Sequence, residues 1–67
     1  MKKIVMADTV NGCIEVSSIE DAVSEGAMEI SAREFERDLS TMQYGEFYVA
    51  ELDEDAFARI DEKYGIN

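Results

Sequence analysis

Apolar and polar positions change period several times along the chain. Lys3 to Val10 and Cys13 to Ser17 are rich in β-branched and apolar residues, and Asn11-Gly12 between them suits the positive φ angles of a type I′ turn. The segment therefore predicts a β-hairpin. A two-residue loop sets Val10 opposite Cys13, Thr9 opposite Ile14, Asp8 opposite Glu15 and Ala7 opposite Val16. Val5, Ala7, Ile14 and Val16 then share a core face. The outer face of that register carries Asp8 across from Glu15, a like-charge pair that implies either a shifted register or a nearby cation.

Ser17 and Ser18, followed three residues later by Glu20 and Asp21, are overlapping helix-start signals, because each hydroxyl can accept a free amide of the first turn. Ile19, Ala22 and Val23 follow at helical spacing, so a short helix is expected, ending near Gly26, with Ala27 to Ile30 as an extended link. Ser31-Ala32-Arg33-Glu34 is a full capping box. Phe35, Leu39 and Met42 then recur at i, i+4 and i+7, which predicts one buried stripe on a helix running to about Gln43 and stopping at Tyr44-Gly45. Residues 46–52 place Phe47 and Val49 on one side and Tyr48, Ala50 and Leu52 on the other, as in a strand covered on both faces. Asp53 caps a last helix with Glu54 and Asp55 in its first turn, Phe57, Ile60 and Tyr64 on its buried face, and Gly65 at its end, after which Ile66 folds back.

The expected order is β-β-α-α-β-α in a single domain of residues 1–67. It is an α+β fold in which a three-stranded, mainly antiparallel sheet is covered on one face by helices.

Composition narrows the chemistry. The chain has 67 residues, no histidine and one cysteine, so a usual zinc site, a Cys-His dyad or a Ser-His-Asp triad cannot be assembled from it. No cofactor or catalytic residue is expected, and Cys13 reads as a small buried or half-buried hydrophobe of a reducing, cytoplasmic compartment. The N-terminal apolar run is broken by Asp8 and is too short for a membrane span or signal core. Sixteen acidic residues against six basic ones give a net charge of −10. Such a field repels nucleic acid and favours basic protein partners. Hydrophobic residues make up 46% of the chain, which separates it from disordered acidic tails.

The densest acidic cluster is Glu51, Asp53, Glu54 and Asp55. It lacks the glycine and ligand spacing of a calcium loop and reads as a helix start rich in anions. Carboxylates one helical turn apart, such as Asp21 and Glu25 or Glu34 and Asp38, stand about 5–6 Å from each other, a separation close to that of nucleic-acid phosphates. The first expectation is therefore a non-enzymatic inhibitor that mimics nucleic acid and binds a basic nucleic-acid-handling protein, such as a nuclease or a CRISPR surveillance subunit. Its contact residues would be Glu51, Asp53, Glu54 and Asp55, then Asp8 and Glu15, with Tyr44 and Tyr48 as aromatic anchors. Small acidic intracellular domains of this kind are typical of phage anti-defence proteins, including anti-CRISPR and anti-restriction inhibitors, which is a likeness of class carried by no family motif. The competing expectation is a cytosolic adaptor or antitoxin-like regulator that binds one protein through an apolar sheet face or an exposed strand edge, and a third is a homodimer that buries the sheet face against its own copy.

Overall fold

The computed structural model describes residues 1–67. Strands β1 (Lys3–Asp8) and β2 (Gly12–Val16) open the chain, and helix α1 (Ile19–Ser24) leads to a two-residue strand β3 (Met28–Glu29). Helix α2 (Ala32–Asp38) passes through a 3-10 turn (Leu39–Thr41) into β4 (Phe47–Leu52), and α3 (Glu54–Tyr64) follows. The strands form one mixed sheet in the order β2-β1-β4-β3, with β1 antiparallel to both its neighbours and β3 parallel to β4. The α+β class holds, but the expected three-stranded, mainly antiparallel sheet gains a fourth strand from the Ala27–Ile30 link. The Cα radius of gyration, 10.4 Å, agrees with about 11 Å for a folded chain of this length.

Strands β2, β4 and β3 all run the same way, so the chain must cross the sheet to join them. The α1 connection travels from the β2 edge to the β3 edge, and the α2 connection returns one place to β4. Two crossovers that move in opposite directions keep the same hand only if they lie on opposite faces. Accordingly, Ile19 and Ala22 pack with Ile4, Met6, Val16, Phe47 and Val49 on one face. Phe35, Leu39, Ala56 and Ile60 pack with Val5, Ala7, Cys13, Ala50 and Leu52 on the other. Helices therefore cover both faces, which corrects the one-sided arrangement expected from sequence. The alternation read along β4 is the observed one.

The hairpin register differs from the expected one. Asp8 stands opposite Gly12 rather than Glu15, and Ala7 opposite Cys13, Met6 opposite Ile14, Val5 opposite Glu15 and Ile4 opposite Val16. The cause is the Asp8 carboxylate. Its Oδ1 accepts the N–H groups of Val10 at 2.8 Å and Asn11 at 2.6 Å, and its Oδ2 accepts the Asn11 side-chain amide at 3.1 Å. This fixes a three-residue loop closed by Gly12 at φ +75°, in place of the two-residue Asn-Gly turn. A slip of three residues is odd and exchanges faces. Cys13 thus joins Val5 and Ala7, whereas Ile14 and Val16 move to the α1 side. Asp8 and Glu15 lie on opposite faces, and the like-charge pair does not form.

The helix caps follow the sequence signals. The Ser18 hydroxyl accepts Asp21 N–H at 3.1 Å, and Asp53 accepts Ala56 N–H at 2.8 Å. Ser31 and Glu34 exchange both bonds of the capping box, at 3.1 and 3.2 Å. Helix α2 ends at Asp38, earlier than the expected Gln43, because the chain tightens into the 3-10 turn and leaves it extended at Met42. Phe35 and Leu39 are nonetheless buried and Met42 half-buried. Tyr64, expected on the buried face of α3, is exposed. Past α3 the chain folds back as expected. Ile66 bridges to Cys13, Asn67 donates its N–H to the Cys13 carbonyl at 3.1 Å, and its own carbonyl accepts Glu15 N–H at 2.9 Å. The tail thereby occupies the outer edge of β2.

Candidate functional site

The pairing of Lys3 with Leu52 lays the first residues of the chain beside the end of β4 and the start of α3. Cations consequently reach the predicted acidic cluster. Lys2 Nζ lies 3.6 Å from Glu51, and the N-terminal ammonium lies 3.4 Å from Glu54. Asp53 is engaged as the α3 cap, and Asp55 is exposed and forms no ion pair. Glu15 meets Lys3 Nζ at 3.5 Å, and the same ammonium lies 5.3 Å from the Phe57 ring centroid. Asp8 is committed to its turn. The Asn11 N–H first, then the Asn11 side-chain amide and the Val10 N–H, hold its carboxyl below the ordinary value against the opposing effect of lost solvent.

The two aromatic candidates behave differently. Tyr44 is 88% exposed in the loop before β4. Tyr48 packs on the α2–α3 side, and its hydroxyl donates to the Glu46 carboxylate, which also accepts the Gln43 N–H. That bond pushes the phenol up and, with the Gln43 amide, draws the Glu46 carboxyl down.

Charge compensation is uneven. All 16 carboxylates lie outside the core, and the five ion pairs are the three already named together with Arg37–Asp38 and Arg59–Glu36. The last of these joins α3 to α2 through two bonds of 2.8 and 3.1 Å and lowers the Glu36 carboxyl. None of the five touches α1 or β3. Glu20, Asp21, Glu25 and Glu29 therefore form an exposed acidic side without ion pairs, with Val23 at 45% exposure among them, whereas Met28, at 62% exposure, is aligned with Tyr48 on the α2–α3 face. None of Glu20, Asp21, Glu25 and Glu29 was among the contact residues expected from sequence. The signal was present, because no Lys or Arg occurs between Lys3 and Arg33.

No cavity is present, no buried side-chain polar atom lacks a partner, and no group of His, Cys, Asp or Glu is placed to hold a metal ion. Cys13 is buried, and loss of solvent raises its thiol above the ordinary value. No helix is long and apolar enough to cross a membrane. The chain matches no protein-family model, no curated protein and no solved structure.

Proposed function

We propose that the protein is a non-enzymatic blocker that occupies the cationic groove of a basic, nucleic-acid-handling protein. The observation that carries this reading is the run of uncompensated carboxylates on α1 and β3, which none of the five ion pairs reaches. A net charge of −10 steers the domain toward a cationic surface and accelerates the encounter. Once seated, the carboxylates take the places of backbone phosphates, and the exposed Val23 among them supplies apolar contact. A cytoplasmic anti-defence role, directed at a restriction enzyme, another nuclease or a CRISPR surveillance subunit, is the biological setting that suits this chemistry. The surface now favoured is Glu20, Asp21, Glu25 and Glu29 ahead of Glu51, Asp53, Glu54 and Asp55, because the second group has its own counterions and a cap.

The test is capture of partners from a host lysate on immobilised protein, with stepwise salt elution and competition by duplex DNA. A nucleic-acid-binding protein released by DNA or below about 0.5 M salt supports blockade. Neutralising Glu20, Asp21, Glu25 and Glu29 together should abolish that capture, whereas neutralising Glu51, Glu54 and Asp55 should weaken it less. Retention through high salt, indifferent to both variants, overturns the reading.

A specific observation favours the adaptor as second reading. The six-residue α1 leaves Ile4, Met6, Ile14, Val16 and Phe47 only half-buried, so the α1 face of the sheet offers apolar area to a partner.

A further inference from the structure

The sheet has two edges in different states. The β2 edge is occupied by the C-terminal tail through the Cys13 and Glu15 backbone groups. The β3 edge is open. Ile30 donates its N–H to the Val49 carbonyl at 3.0 Å, and strand backbone groups alternate in direction, so the N–H and C=O of Glu29 point away from β4. Met28 is aligned with Tyr48 and shares its α2–α3 face, while Glu29 is aligned with Val49 and shares the α1 face. Along this edge one face therefore offers the exposed Met28 side chain, and the other offers Glu29 with the uncompensated acids of α1.

We propose that β3 is a strand-addition site whose occupant is an extended segment alternating Lys or Arg with apolar residues. The inference deepens the blocker reading and rests on it for the partner's basic character. Backbone bonds to Glu29 fix the register, the apolar side chains of the segment fall on the Met28 side, and its cations fall on the Glu29 side. Charge excludes a second copy of this chain as occupant. Two β3 edges joined about a two-fold axis would set Glu29 directly against its counterpart, adding like-charge repulsion to that of two chains of charge −10 each. The exposed strand is only two residues long, so side chains must supply most of the affinity.

The experiment uses the intact ¹⁵N-labelled chain titrated with a short acetylated peptide alternating lysine and valine. A peptide of the same composition, with lysines and valines in separate blocks, is the control. The alternating peptide should bind about tenfold tighter than the block peptide and slow amide exchange at Glu29 by a similar factor. Glu29→Pro removes the outward N–H without touching the bond to β4 and should weaken binding about fivefold or more beyond Glu29→Gln. N-methylation of the peptide on its pairing edge should have the same effect, and it keeps the test independent of whether the proline variant folds. Equal binding of both peptides, or no effect of N-methylation, overturns the strand site and leaves acidic blockade standing. Failure of both peptides to bind also overturns it, whereas the blocker reading falls only with the salt and DNA competition of the lysate capture.

Discussion

Asp8→Ala tests the claim that one carboxylate sets the hairpin register. The substitution removes acceptors for the Val10 and Asn11 N–H groups and for the Asn11 amide. Helix caps that lose a comparable side-chain acceptor cost about 0.5–2 kcal/mol, and the charge on Asp8 places it in the upper half, about 1–2 kcal/mol. In a domain of this size that corresponds to a fall in Tm of about 4–15 °C. Asp8→Asn keeps an acceptor without the charge and should lose roughly half as much. The folded-state carboxyl titrates below its ordinary 3.8, so its contribution is complete above the unfolded pKa and is lost as pH falls through the lowered folded value. The stability gap between the parent and Asp8→Ala should thus be full at neutral pH, shrink below about pH 4 and fall to roughly half in stronger acid, where the neutral carboxyl still accepts. Urea unfolding followed by circular dichroism at several pH values measures it. Equal stability at neutral pH, or a gap that persists unchanged in acid, would refute the reasoning.

Three further outcomes are expected. Leu52→Ala, at a fully buried position between β4 and the α2–α3 layer, should cost about 2–5 kcal/mol in urea unfolding, whereas Val23→Ala on the exposed side of α1 should stay within about 0.5 kcal/mol. The Tyr48 phenol should ionise above its ordinary pKa of 10.0 in an absorbance or NMR titration, and Glu46→Gln should bring it back down; identical titration in the two proteins would remove the hydrogen bond as the cause. Cys13, buried with a raised thiol pKa, should resist a thiol reagent in the native state and react at a rate that follows unfolding as urea rises.

Where one local signal stood unopposed, sequence was sufficient. The Ser31–Glu34 box, the Asp53 cap and the two-sided alternation of β4 each depend on residues within a few positions, and each formed as read. The hairpin register failed because two local signals competed. Asn11-Gly12 favours a two-residue loop, yet the Asp8 carboxylate reaches two amides ahead of it and only Gly12 takes a positive φ. Strand β3 is two residues long and has no periodicity to detect. Its existence depends on β4, and through the crossover rule it also decides which face α1 covers. The candidate site was legible to a similar extent. The absence of cations between Lys3 and Arg33 is plain in the sequence, whereas the neutralisation of Glu51 and Glu54 depends on β1 pairing with β4 across most of the chain.

The sheet divides the interior into two unequal compartments. Nine buried residues hold the α2–α3 side, and three, Ala22, Ala27 and Val49, hold the α1 side. A helix of six residues over so small a compartment should behave as a separate, weaker cooperative unit that melts while β1, β4 and the other layer stay intact. Amide protons of α1 should accordingly exchange by sub-global opening, well before those of β4. If they do, the side that carries the unbalanced charge is also the one that yields first.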